Sequence, residues 1–284
     1  MTVITAADIA HIVAGAIRAA ATSLRPDVLE AMREAARTEP SERGREILGQ
    51  LLENAEIARR DCVPLCQDTG TVWVWVELGR ESCLEGDLQG AIDDAVARAY
   101  REHALRMSVV RDALCDRTNT MDNTPAFIEI TQRPGEGATV HVMLKGGGSD
   151  NASAVAMLDP ASGVEGVARF VIDVVSAKAT GACPPLIVGV GVGGTFDSVG
   201  KLAKKALLRA LGEPTNPVEV AGLEERLLAE INTLGIGPAG LGGATTALGV
   251  RVLTAPCHIA ALPVAVNLGC SAMRSVTVEV PARG

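Results

Sequence analysis

A chain of 284 residues that is 48 % hydrophobic can bury a substantial core in one or two domains. Its 34 acidic and 26 basic residues give a net charge of −8, which excludes the basic face of a general nucleic-acid binder. With 2 % aromatic residues there is no stacking platform for single strands, and no apolar run reaches the roughly 20 residues of a membrane span.

Residues 6–60 read as helices. Ala6–Ala21 carries Ile9, Ile12, Val13 and Ile17 at helical spacing, Pro26 and Pro40 punctuate the next stretch, and Ser41 is placed to cap a helix running to about Arg60. The period then changes. Thr71–Leu78 is dense in β-branched and aromatic residues and reads as a strand, and Leu84–His103 returns to helix. Phe127–Thr131 and Thr139–Leu144 read as a strand pair joined by Pro134-Gly135-Glu136-Gly137. Helices are expected over Gly163–Lys178, Val199–Leu211 and Val218–Leu234. Pro185–Val192 reads as a strand buried on both faces, and Val250–Leu253, Pro263–Asn267 and Ser275–Val280 as closing strands. The class is therefore α/β, with a helical part over about 1–60 and a mixed-sheet part over about 61–284 of one module. The best candidate break is the Gly-rich stretch Lys145–Ser149. The first residues lack the basic and apolar regions of a secretory signal, so the cytoplasm is the expected compartment.

Seven cysteines in such a chain favour metal or redox chemistry over disulfides. Cys83, Cys115 and Cys257 sit in ordinary contexts and are expected to be small hydrophobes. Cys66, Cys183 and Cys270 differ, because each lies on a Gly- or Pro-rich turn beside a strand end: Pro64-Leu65-Cys66-Gln67-Asp68-Thr69-Gly70, Gly181-Ala182-Cys183-Pro184-Pro185 and Asn267-Leu268-Gly269-Cys270. Their wide separation rules out a local knuckle, so they must converge through the fold. Four cysteine ligands make an electron carrier, whereas three leave one iron of a cubane open as a Lewis acid. Cys62 with Cys66 is an alternative pair, and Cys257 beside His258 is a spare thiol. Asp68, two residues from Cys66, is the acid/base candidate, against the plainer role of an Asx turn before Gly70.

Two glycine-rich segments imitate nucleotide motifs. Gly189-Val190-Gly191-Val192-Gly193-Gly194 comes after an apolar run, but no second strand ending in an acidic residue succeeds it, so a dinucleotide site is not expected. In Lys145-Gly146-Gly147-Gly148-Ser149-Asp150-Asn151 the lysine precedes the glycines, so it is no P-loop, though its backbone N–H groups suit an anion such as a carboxylate.

Taken together, these segments resemble the alpha subunit of the two-subunit, iron–sulfur (class I) fumarate hydratases and the related L-tartrate dehydratases. The likeness runs through Leu65–Gly70, Lys145–Asn151, Cys183-Pro184-Pro185, Val188–Thr195, Leu234–Pro238, Gly240–Gly243, Thr245–Val250 and His258–Asn267. It implies a [4Fe-4S] cluster held by Cys66, Cys183 and Cys270. It also implies substrate contacts at Gln67, Asp68, Arg106, Gly146, Gly147 and Gly148, with Asp68 as catalytic acid and Arg106 pairing with a substrate carboxylate. The segment before the third ligand departs from the family's Asn-x-Asn-Cys.

The resemblance further implies a separate beta subunit, in a heterotetramer, that supplies the catalytic base. The expected reaction is the hydration of fumarate to L-malate in the tricarboxylic acid cycle, with the Ser149-Asp150-Asn151 ending tilting the choice away from L-tartrate dehydration. An iron–sulfur electron carrier or redox sensor is the alternative from a different class.

Overall fold

The computed structural model of the chain describes residues 2–281. In chain order its elements are β1 (Thr2–Thr5), α1 (Ala6–Thr22), α2 (Pro26–Thr38), α3 (Glu42–Asp61), β2 (Thr71–Gly79), β3 (Ser82–Glu85), α4 (Leu88–Glu102), β4 (Phe127–Arg133), β5 (Ala138–Lys145), α5 (Gly147–Asn151), β6 (Ala154–Leu158), α6 (Gly163–Lys178), β7 (Leu186–Gly194), α7 (Ser198–Ala206), α8 (Val218–Thr233), β8 (Ala247–Cys257), β9 (Leu262–Gly269) and β10 (Arg274–Val280). They make the α/β chain with helices at its start that the sequence pattern implies. Two compact units result. The first runs up to Arg25, over Ala55–Gly147 and on from Arg274, and the second comprises Pro26–Asn54 and Gly148–Met273. The chain passes from one to the other inside the Gly-rich stretch. No helix among the described residues is long and apolar enough to cross a membrane.

In the first unit α1 starts where Thr5 and Asp8 cap each other. The Asp8 N–H donates to Thr5 Oγ1 at 3.1 Å, and the Thr5 N–H donates to Asp8 Oδ2 at 3.3 Å. The sheet runs β10-β5-β2-β4. Along β2 the pleat sends Val72, Val74, Val76 and Leu78 into one core with Ile9, Val13 and Ile17 of α1 and Ile92, Val96 and Tyr100 of α4. The other face carries Trp73, whose ring stacks on Phe127 at 4.8 Å and on Trp75 at 5.7 Å.

Three expectations need correction here and in the second unit. β4 and β5 are not partners: β2 lies between them, parallel to β4 and antiparallel to β5. The Pro-Gly segment is a connection across a strand, because β2 offers an apolar ladder on both edges. The helix expected from Leu84 begins at Leu88. Asp87 caps it by accepting from the Gly90 N–H at 3.1 Å, and Ser82–Glu85 pairs with β1 instead. In the second unit α7 ends at Ala206 rather than Leu211, and the Leu211 N–H donates to Asp27 Oδ2 at 2.9 Å.

The second unit's sheet runs β6-β9-β7-β8. One face packs large aliphatics (Val188, Val190, Val250, Val252, Val264, Val266, Leu268) with Val171 and Val175 of α6 and Leu227 and Ile231 of α8. The other face receives α7 through Val199, Ala203 and Ala265. Its closeness explains the Gly-x-Gly run. A Cβ on Gly189 would stand 2.3 Å from the Ala203 carbonyl oxygen, and one on Gly191 would stand 2.6 Å from that of Val199. These glycines seat a helix against a strand.

Candidate functional site

Cys66, Gln67, Asp68, Arg106, Gly146 and Gly147 all belong to the first unit, whereas Gly148, Cys183 and Cys270 belong to the second. The Cys66–Gly70 turn precedes β2. Gly70 has φ +79, and a Cβ there would meet the Lys145 carbonyl carbon at 2.6 Å, so the turn lies directly against the end of β5. Asp68 makes the Asx turn weighed for it and one further bond. Its Oδ1 accepts the Gly70 N–H at 3.0 Å in an Asx turn, and its Oδ2 accepts the Gly147 N–H at 2.8 Å. Two backbone donors thus fix the direction of the carboxylate and tie it to the glycine segment.

Four further groups hold the turn from behind. The Tyr100 hydroxyl donates to the Gly70 carbonyl at 2.9 Å and the Thr69 carbonyl at 3.2 Å, and the Asn123 amide donates to the Gly70 carbonyl at 3.1 Å. The Thr69 hydroxyl donates to the Arg106 carbonyl at 2.6 Å, which sets the backbone at Arg106 beside the turn and leaves its side chain exposed. A guanidinium N–H of Arg274, a residue 1 % exposed, donates to the Asp68 carbonyl. Burial raises the Tyr100 phenol well above its ordinary value, against the pull of the Arg274 cation, so it stays a neutral donor. A Cβ on Gly146 would lie 3.0 Å from Asp68 Oδ2 and 3.3 Å from Arg274 Nη2, so glycine leaves these two groups their places.

In the second unit Cys183 precedes β7 and Cys270 comes just after β9. Because those strands are antiparallel, with Ile187 opposite Gly269, both cysteines stand at the same end of the sheet. The Ser271 N–H donates to the Cys183 carbonyl at 3.0 Å, joining the two turns. Cys183 adopts a left-handed backbone conformation (φ 54, ψ 72), which is uncommon for a residue with a Cβ and recurs at functional turns. None of the seven cysteines forms a disulfide; Cys183 is exposed and Cys66 and Cys270 partly so. Thiols that are half open, on turns and outside disulfides are donors of the kind iron–sulfur clusters take, so this donor set fits the group that the sequence implies. Among the described residues no three His, Cys, Asp or Glu side chains are gathered about a single ion.

The remaining cysteines depart from the buried hydrophobes expected of them: Cys115 and Cys257 are exposed and Cys83 partly so. Cys62, also exposed, has φ 55 and terminates α3, where the Val63 N–H donates to the Ala58 carbonyl. Its place in the chain is that of a helix cap.

Sequence reasoning assigned no role to Tyr100, Asn123, Arg274 or Lys204. Tyr100 carried a usable signal, since the chain's single tyrosine, on the apolar face of a helix, must find a partner for its hydroxyl. Lys204, on α7 next to Lys205, is 6 % exposed and carried no such signal.

Among known proteins, a family model described as fumarate hydratase (Fumerase) matches residues 10–279. A protein of Methanocaldococcus jannaschii, provisionally named L(+)-tartrate dehydratase subunit alpha, is 41 % identical over 271 residues, 94 % of this chain and 95 % of its own length. The L(+)-tartrate dehydratase subunit alpha of Escherichia coli (strain UTI89 / UPEC) is 34 % identical over 276 residues, 96 % of this chain and 90 % of its own. That of strain K12 is 33 % identical over the same shares.

Proposed function

Because this chain belongs to the fumarate hydratase family and is a hydro-lyase, we propose that it is the cluster-bearing alpha subunit of an enzyme that interconverts fumarate and L-malate. The whole chain would act as one catalytic module, in the cytoplasm, paired with a beta subunit in a heterotetramer and serving the tricarboxylic acid cycle. The names of its relatives, all alpha subunits, support the pairing. Cys66, Cys183 and Cys270 would hold a [4Fe-4S] cluster, which when bound supplies an open iron to polarise the hydroxyl leaving group.

The chain's own residues then have separable tasks. The observation that carries the reading is Asp68, two residues from Cys66, with each carboxylate oxygen held by a backbone N–H. Those bonds fix the direction of the carboxyl group, and as the reaction's acid it would hand a proton to the departing hydroxyl, which leaves as water. General acids so placed contribute about 10²–10⁴-fold. Arg106, anchored through its carbonyl to Thr69, leaves its guanidinium to pair with a substrate carboxylate. Gln67 and the N–H groups of Gly146–Gly148 bind the rest of the diacid. Gly147 shares its N–H with Asp68, which couples binding to the acid's orientation. The base that takes the C3 proton comes from the beta subunit.

A second reading, dehydration of L-tartrate, has a specific observation in its favour, since the relatives from Methanocaldococcus jannaschii and Escherichia coli carry that name. The Ser149-Asp150-Asn151 ending does not decide between them, because Asp150 is occupied by Lys204 and Asn267. The test is anaerobic: co-purify the chain with its beta subunit, supply iron and sulfide, and measure fumarate and L-tartrate turnover with and without Cys66→Ala. Fumarate turnover lost in the variant supports the first reading. Tartrate turnover alone transfers the assignment, and turnover of both that survives Cys66→Ala removes the cluster from it.

A further inference from the structure

A buried amine stands within the second unit, near the end of the sheet that carries Cys183 and Cys270. The glycines of β7 let α7 lie close to the sheet, and on β9 the pleat gives this face Ala265, Asn267 and Gly269. Lys204 therefore reaches under the helix. Its ammonium lies 3.1 Å from Asp150 Oδ1 and 3.4 Å from Oδ2, and the Asn267 amide donates to Asp150 Oδ1 at 3.2 Å. Asn267 is 5 % exposed, and its Oδ1 is buried without a hydrogen-bond partner among the described residues. Burying an ammonium is costly unless it is paired and hydrogen-bonded. Burial lowers the Lys204 pKa and Asp150 resists that shift.

The three residues also connect segments whose placement matters. Asp150 ends the Lys145–Asn151 glycine segment, and Asn267 stands three residues before Cys270. We propose that Lys204 is a positioning residue: through Asp150 and Asn267 it holds the Gly148–Asn151 segment and the Cys270 turn in one fixed arrangement. This role deepens the proposed function and rests on it only for the statement that Cys270 is a ligand. An arginine could keep the charge and the bond to Asp150, whereas a methionine would keep the bulk and lose both.

The test reads the thiols of the full chain without its cluster, so it stands apart from activity. Wild type, Lys204→Met, Lys204→Arg and Asn267→Ala are alkylated, and each cysteine is monitored by peptide mass spectrometry. In Lys204→Met the alkylation rate at Cys270 rises above the wild-type value. Cys66, in the other unit, keeps its rate, and Lys204→Arg returns Cys270 toward the wild-type value. If Lys204→Met does not fold, Asn267→Ala carries the same expectation. An unchanged Cys270 in either folded variant overturns the proposal, and so does an equal rise at Cys66 and Cys83, which would mean general loosening. In the loaded two-subunit enzyme, kcat falls and KM for the diacid rises in Lys204→Met, and Lys204→Arg restores both. A rise at Cys270 together with full iron retention in Cys270→Ala would leave the positioning role intact and defeat the ligand assignment.

Discussion

The Cys66–Gly70 turn of the first unit is held by polar groups, whereas the Cys183 and Cys270 turns of the second hang from the ends of an aliphatic sheet. At the first, Tyr100, Asn123, Thr69 and Arg274 each spend a hydrogen bond on a turn carbonyl or its neighbour. At the second, α7 is seated on the glycines of β7, the Lys204–Asp150–Asn267 contacts lie beneath it, and the Ser271 N–H donates to the Cys183 carbonyl. Directional bonds fix the angle of a carboxylate, and close packing fixes the position of a backbone. A proton donor needs the first and a metal ligand the second.

The largest test of that contrast is Gly191→Val. Its Cβ would lie 2.6 Å from the Val199 carbonyl oxygen and 2.7 Å from the Ala203 nitrogen, so α7 must lift. A loss of about 3 kcal/mol in urea unfolding is expected, the upper range for overpacking. A loss near zero would mean that packing does not order the second unit.

Glu39→Gln comes next, because it probes a buried carboxylate of the second unit. Its carboxylate accepts from the Thr245 hydroxyl at 2.7 Å and from the N–H groups of Thr245, Ala244 and Ser41 at 2.8, 2.9 and 3.1 Å. Burial pushes its pKa up, but those donors together bring it below the ordinary value. Its contribution to stability is therefore full above the usual carboxylate pKa of about 4.3 and is lost as pH falls through the lowered value. The variant should lose about 2 kcal/mol at neutral pH and show less further loss on acidification, read from thermal midpoints at several pH values.

Tyr100→Phe should cost less, about 1 kcal/mol, since the carbonyls of Thr69 and Gly70 keep other partners or find water. It should also remove part of the alkaline instability. The phenol is raised in the folded state, so its contribution is full below about pH 10 and is lost as pH rises above that. A fall in kcat measured where the variant stays fully folded would sharpen the view that this bond orients Asp68. The smallest effect belongs to Arg226→Ala. Arg226 bridges Glu165 at 2.6 and 2.8 Å and Glu230 at 2.7 Å, but Arg226 and Glu165 are exposed and Glu230 partly so, and no measurable change in Tm is expected.

Helical and strand periods were strong enough to read α1, α6, α8, β2 and β7 within a residue or two. Pairing was not legible where two strands were close in sequence: Phe127–Thr131 and Thr139–Leu144 look like a hairpin until β2 claims both. The candidate turns were legible because Gly and Pro mark them and because Cys66 and Asp68 stand two residues apart in the sequence. Lys204 and Arg274 were not, since a buried cation has the same letter as a surface one. Only the burial of its surroundings, a long-range property, reveals it.

The proposed chemistry depends on three thiols acting together, and the most direct measurement is an anaerobic iron and sulfide count on seven single Cys→Ala variants of the full chain. Loss of the cluster with Cys66→Ala, Cys183→Ala and Cys270→Ala, and its retention with the changes at Cys62, Cys83, Cys115 and Cys257, is the predicted result. A full cluster in Cys66→Ala, or one lost in Cys62→Ala or Cys257→Ala, would contradict it and point to a different ligand set.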